Sequence, residues 1–169
     1  CDIDQMAKVS KNASMQPKVR LGVREGESYK VKDLLYGLML ESYNDCAVVL
    51  AEYAAGSVEK FEKRVNQMAA KLGASNTHFV TPNGLDGTDK DGRHETTAQD
   101  LAKIMARCIK NQQFLEITQA KQHTFTDGSG KRTFTCNNHN ALLSTMQGAI
   151  SGKTGYTSKA GYCYVGAIK

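Results

Sequence analysis

Two short triplets in this sequence carry groups that can do chemistry. Lys153-Thr154-Gly155 places a fixed positive charge, a hydroxyl donor and a residue without a side chain in a row. Lysine and threonine suit a small anion, and glycine lets a ligand backbone come close to a strand. Ser42-Tyr43-Asn44 lies far upstream, in the polar stretch "ESYND" that interrupts an apolar helical run. A hydroxyl and a carboxamide held on so short a turn can face one cleft. Together the triplets describe a place that holds an anion beside a nucleophile. Each also has a plainer reading: Ser42 or Asn44 as the cap of the following helix, Lys153–Gly155 as an exposed strand end.

The elements that must position these triplets follow from periodicity. Val31, Leu34, Leu35, Leu38 and Met39 repeat with helical spacing, and Cys46, Val49, Leu50 and Tyr53 share one face of a second helix that Gly56 ends. Ser57 caps a third helix carrying Val58, Phe61, Val65, Met68 and Leu72, closed by Gly73. Thr97 and Asp100 have capping-box spacing ahead of Leu101, Ile104, Met105 and Cys108. "HTFT" and "RTFTC" flank the turn-rich "DGSGK" and predict a hairpin. The stretch "SGKTGYTSKAGYCYV" predicts a strand, a turn at Gly155 and a second strand. "MAKVS" suits a short strand, "KVRLGVREGESYKV" a loop or loose hairpin, and "NTHFVTPNGLDGTDKDGRHET" a long loop. Helices precede strands, so the class is α+β, with a helical portion over about 30–115 and a hairpin and K-T-G strand region over 120–169.

Composition narrows the function. Apolar residues make up 40% of the 169, enough for a core, and no apolar run approaches the ~18–20 residues of a membrane-spanning helix. The start of the chain is polar and has no secretory signal pattern. A net charge of +5 favours anionic partners, of which an acidic wall polymer or anionic lipid fits better than nucleic acid: the basic residues are scattered and no binding motif occurs. Cys1, Cys46, Cys108, Cys136 and Cys163 form no CxxC pair, so neither a zinc site nor a disulfide framework is expected, and single semi-buried thiols are. His94-Glu95 begins an H-E-x-x-H pattern that Ala98 breaks, and Asp86, Asp89 and Asp91 lack an EF-hand arrangement. No metal or other cofactor is called for. His78 and His139 are expected to pack loops.

S-x-N followed by K-T-G is a motif order of penicillin-binding proteins and class A β-lactamases, where an S-x-x-K supplies the nucleophile. The segments "DLLYGLMLESYNDCAVVLAEYAAGS", "NTHFVTPNGLD", "HETTAQDLAKIM", "NNHNALL" and "GKTGYTSKAGYCYV" resemble the D-alanyl-D-alanine carboxypeptidases of the low-molecular-weight penicillin-binding proteins (peptidase S11), over nearly the whole chain from about Lys8. The resemblance implies the DD-peptidase/β-lactamase-like fold and serine acyl transfer on the D-Ala-D-Ala end of wall peptides, outside the cytoplasmic membrane of a bacterium, with β-lactams as inhibitors. It implies that Ser42 helps pass protons to the leaving group and Asn44 bonds the substrate amide. Lys153 would orient Ser42 and set the local field, and Thr154 would bind the terminal carboxylate. Gly155, Tyr156 and Thr157 would lie on the strand that pairs with the peptide.

The nucleophile itself is missing. Ser10, Ser14 and Ser28 have Ala13, Pro17 and Val31 at the third following position. Only Ser57, with Lys60, has S-x-x-K spacing, and it stands downstream of Ser42 in "AAGSVEKF", where a helix cap is expected. The chain is therefore expected to be a single partial domain over 1–169, beginning after the nucleophile-bearing helix and stopping inside the sheet. Its truncated sheet would leave an edge that could pair with a second chain, and by itself it is expected to be inactive. Two other readings stay open: a β-lactamase of the same fold, and a non-catalytic wall-binding protein.

Overall fold

The structure is a computed structural model and describes residues 2–169; Cys1 lies outside them. Its most buried element is helix α3, Asn44–Ala55, in which every residue from Asn44 to Val49 is buried together with Ala51. The one-sided stripe read from Cys46, Val49, Leu50 and Tyr53 is thus too narrow: the first two turns of α3 are enclosed on all sides. Around it pack the strand β1 (Met6–Lys8), which pairs with β2 (Ser28–Lys30), the short helix α1 (Lys11–Ser14) and helix α2 (Val31–Tyr36). Val9, Tyr29, Leu34, Leu40, Val49 and Phe125 fall in this one cluster.

Asp45 explains how a loop without secondary structure is held against α3. Its carboxylate is 1% exposed. It accepts the N–H groups of Leu21, Gly22 and Val23 at 3.0, 2.8 and 3.1 Å, and that of Cys46 at 2.9 Å. A buried carboxylate at a helix N-terminus satisfies donors there and is favoured by the helix dipole.

Between α2 and α3 the chain runs through a π-helical segment, Gly37–Glu41. Gly37 allows close approach there: a Cβ would sit 3.1 Å from the Cys46 sulfur and 3.2 Å from the Tyr43 ring. Single π turns inside helices recur at functional sites.

Helix α4 (Val58–Lys71) follows, then the long loop, helix α5 (Ala98–Cys108) and helix α6 (Gln112–Gln119). The apolar stripe of α4 is half-buried: Val58, Phe61, Val65 and Leu72 are partly covered, Met68 is 52% exposed, and only Ala69 is fully buried. The capping box at α5 is half realised. Thr97 accepts the Asp100 N–H at 3.2 Å, but the Asp100 carboxylate turns to Asn76 N, Thr77 Oγ1 and Lys103 Nζ. Those donors, Lys103 foremost, hold Asp100 below the usual carboxylate range. Helix α6 was not read from the sequence; Asn111 caps it through the Phe114 N–H.

Strands β3 (Gln122–Thr126) and β4 (Thr133–Asn137) form the expected antiparallel hairpin. Asp127 closes its turn through Lys131 N and Arg132 N. Arg132 pins the hairpin to the N-terminal loop, donating to the Glu27 carboxylate and, at 2.9 Å, to Gly22 O. After helix α7 (Leu142–Thr145) come β5 (Ala149–Thr157) and β6 (Gly161–Ile168), also antiparallel. The turn is not at Gly155, which pairs with Cys163 inside the ladder. It lies at Ser158–Ala160, where Thr157 Oγ1 accepts the Ala160 N–H at 3.0 Å and Gly161 takes φ +72°. Two glycines competed for the turn, and the one needing a left-handed backbone won. Among the described residues each strand pair is a separate two-stranded sheet. Of the described cysteines, Cys46 and Cys136 are buried, Cys108 is intermediate and Cys163 exposed, all as free thiols.

Candidate active site

Ser42 ends the π-helical segment with φ +62° and ψ +35°. Among the described residues it is the only non-glycine with positive φ. Such a backbone costs about 1–3 kcal/mol and persists only where the surroundings over-determine it. Here Ser42 N bonds Leu38 O at 3.1 Å, and the next residue, Tyr43, is locked by its ring against Gly37. The left-handed turn breaks the helical run at this point.

Lys153 reaches this turn from β5. Its ammonium donates to Ser42 Oγ and, at 2.7 Å, to the carbonyl of Thr154. No carboxylate among the described residues pairs with it. Burial without a counter-charge disfavours the charged form, and the ammonium is lowered to about 8. The pair is thus a hydroxyl beside an ammonium that burial makes easier to deprotonate than an exposed lysine.

The other expected residues are placed differently from one another. Asn44 begins α3 and is 6% exposed; its Nδ2 donates to Pro17 O at 3.2 Å and its backbone N–H to Val19 O at 2.9 Å. Its amide nitrogen is therefore committed to the loop that Asp45 also holds. Thr154 and Tyr156 alternate away from Lys153, on the face where Tyr156 meets Tyr162 at 4.8 Å between ring centroids, and both are exposed. Gly155 is exposed, and a Cβ there would meet nothing within 4 Å, so no internal contact demands glycine. Thr157 shares the Lys153 face by parity, but its hydroxyl serves the hairpin turn and lies 3.2 Å from Asp86. A ligand that meets both Lys153 and Thr154 must run along the edge of β5, since one face cannot present both. That edge has no strand partner among the described residues.

Ser57 is a cap: its hydroxyl accepts the Lys60 N–H at 3.2 Å at the start of α4. Ser57→Ala is expected to cost about 1 kcal/mol, read as a shift in the urea midpoint, and to leave the Ser42–Lys153 pair untouched. The acidic loop is self-contained: Asp89 accepts from Asp91 N and Gly92 N and meets His78 Nε2 at 2.9 Å. His139, expected to pack a loop, instead meets the carboxylate of Glu41 at 2.7 Å, one residue from Ser42. A hollow of about 680 Å³ lies near the start of β5 around Asn138, Leu143 and Ala149, apart from the Ser42–Lys153 pair.

A sequence model of the D-alanyl-D-alanine carboxypeptidases (peptidase S11) matches residues 1–169. The carboxypeptidase DacB2 of Mycobacterium tuberculosis is 41% identical over 147 residues, 87% of this chain and 49% of that protein. The chain belongs to the D-alanyl-D-alanine carboxypeptidase family. Another relative, DacF of Bacillus subtilis, is 32% identical over 96% of this chain and 40% of its own length. Among solved structures, a D-alanyl-D-alanine carboxypeptidase from Mycobacterium tuberculosis superposes with a TM-score of 0.89 at 35% identity, over 100% of this chain and 62% of that one. The Streptomyces K15 DD-transpeptidase gives 0.88 at 31% identity, over 100% and 68%. This carboxypeptidase-family chain therefore has the DD-peptidase fold, and it spans about half or less of the curated relatives it matches.

Missed in the sequence were Asp45, which anchors the loop beneath Asn44, and Glu41. Both stand in "ESYND", where their charges read as turn-forming polarity. Asp45 had one signal, a carboxylate in the first turn of an otherwise apolar helix.

Proposed function

We propose that this chain supplies the S-x-N and K-T-G half of a serine-type D-Ala-D-Ala carboxypeptidase, whose nucleophile comes from outside these 169 residues. The observation that carries this reading is the Ser42–Lys153 contact on a left-handed, non-glycine backbone. In the reaction, a serine oxygen attacks the carbonyl of the penultimate D-alanine. The serine O–H and the peptide C–N bonds break, an ester forms, and the terminal D-alanine leaves with a proton on its amine. In this reading Ser42 relays that proton. Lys153 supplies the positive charge that orients Ser42 and draws the substrate carboxylate, with Thr154 as a hydroxyl donor from the edge of β5. The free edge over Gly155, Tyr156 and Thr157 accepts the peptide backbone as an added strand; Asn44 lines the turn. Water then hydrolyses the ester.

The substrate class places the protein outside the bacterial cytoplasmic membrane, where its net charge of +5 suits an anionic wall. Fluorescent penicillin offered to the full-length protein tests the reading. The expected result is covalent labelling of a serine outside this chain, competed by a D-Ala-D-Ala peptide, and no labelling of residues 1–169 alone. Rapid release of hydrolysed penicillin would make the protein a β-lactamase. Absence of any adduct would make it a non-catalytic wall binder. An adduct on Ser57 would overturn the assignment of that serine as a cap.

A further inference from the structure

The turn bearing Ser42 and the strand bearing Lys153 are joined by a second route besides their own contact. It runs through Asn137-Asn138-His139-Asn140, from the last residue of β4 towards α7. At one end this segment grips the residues just before Ser42. Glu41 Oε1 accepts the Asn137 N–H at 2.7 Å, and Glu41 Oε2 meets His139 Nε2 at 2.7 Å. The His139 N–H also points to Leu40 O at 3.4 Å.

At the other end it grips the support of β5. Asn138 Nδ2 donates to Thr118 O and Ala120 O, both at 2.9 Å, at the C-terminal end of α6. From there the Thr118 and Ser151 hydroxyls share a hydrogen bond of 2.8 Å, both buried, and Gln119 Nε2 donates to Ile150 O at 2.8 Å. Asn138 Oδ1 holds the Asn140 N–H at 2.9 Å. The Asn140 amide lies against Gly152, next to Lys153: a Cβ there would come within 2.7 Å of its Nδ2. Asn140 is 7% exposed, and its amide makes no hydrogen bond, so its place is set by packing.

We propose that Asn137–Asn140 is a positioning bracket that sets the Ser42–Lys153 contact, with Glu41 and His139 as its grip on the Ser42 turn. The inference rests on reading Ser42 and Lys153 as the working pair. Two groups on different elements meet reliably only if something other than their own bond fixes their separation. Ser42 in particular must be held in a backbone conformation that serine does not favour. Glu41 is suited to that hold because each of its oxygens has its own partner, both on the bracket. Besides His139, the groups that feel its charge are Tyr43 and Cys136, each pushed up by burial first and by Glu41 next. Neither forms a hydrogen bond with Glu41, so the carboxylate's directed contacts all go to the bracket.

The test uses the full-length protein. Glu41→Ala is expected to lower the rate of acylation by fluorescent penicillin by about tenfold, and Glu41→Gln, which keeps an acceptor for Asn137, to restore it to within about threefold of wild type. His139 has a 62% exposed side chain, and His139→Ala serves as the second variant should Glu41→Ala not fold. The measurement that a merely structural role would not move is the titration of Lys153, followed by the Cε resonance of labelled lysine. It should rise from about 8 towards the ordinary lysine value in either alanine variant, as the contact loosens and the ammonium gains water. Wild-type acylation in folded Glu41→Ala and His139→Ala, or an unmoved Lys153 titration, overturns the bracket. Absence of labelling in the wild type refutes the proposed function instead, and the Lys153 titration then decides the bracket alone.

Discussion

Asp45→Ala is expected to destabilise the chain by about 3 kcal/mol, the loss that follows when buried hydrogen-bond donors are left unpaired. Alanine cannot accept the N–H groups of Leu21, Gly22 and Val23, and Val23 is itself buried, so water does not replace the carboxylate freely. The cavity adds to the loss, because Asp45 is among the largest fully enclosed side chains. The damage spreads along the loop. Pro17 O and Val19 O, which fix Asn44, lie on the same segment, and Gly22 O is where Arg132 ties down the β3–β4 hairpin. Urea denaturation would show a lower midpoint with little change in slope, and a midpoint within error of wild type would mean that the loop is held by other contacts. Asp45→Asn should fall between wild type and Asp45→Ala, since one oxygen remains to accept while the new NH2 faces donors.

The contrast between Asp45 and Ser42 shows how much of this molecule can be read from its sequence. The break at "ESYND" is legible because polar residues interrupt an apolar period, and a period of 3.6 cannot continue through them. What the break does is not legible: a left-handed serine after a π turn depends on Gly37 meeting Tyr43 and Cys46. Helix caps at Ser57 and Thr97 were readable because capping is local, a side chain reaching three residues ahead. Asp100 departs from its local role because a distant loop at Asn76 and Thr77 competes for the same carboxylate. The β5–β6 turn was misplaced for a similar reason, since only the ladder register decides between Gly155 and Gly161. Glu41 and His139 stand 98 residues apart, and no pattern in a single sequence pairs them. The α+β class and the two triplets were open to reading. The resemblance also implied that Lys153 meets Ser42, but the long-range contacts of Glu41 and Asn137–Asn140 around that pair were not legible.

Lys153→Ala should have the largest effect on chemistry. In the full-length protein the acylation rate by a labelled β-lactam is expected to fall at least about tenfold, equivalent to about 1.4 kcal/mol or more of lost transition-state stabilisation. Removing the side chain takes away the charge facing the ligand carboxylate and frees the Ser42 hydroxyl to rotate. The pH profile separates these effects from a loss of fold. The ammonium is lowered to about 8 from 10.5 because it is buried without a carboxylate. The wild type should therefore lose acylation on an alkaline limb near pH 8 as Lys153 gives up its proton, and the variant should lack that limb. The same shift has a stability consequence of fixed sign. A lysine whose folded value lies below its unfolded one binds fewer protons when folded, so the wild type gains stability as pH rises from about 8 to 10.5. Lys153→Ala should abolish that gain, and thermal unfolding at pH 7 and pH 10 would measure it. A variant that acylates at the wild-type rate across this range would remove Lys153 from the site, whatever its distance from Ser42.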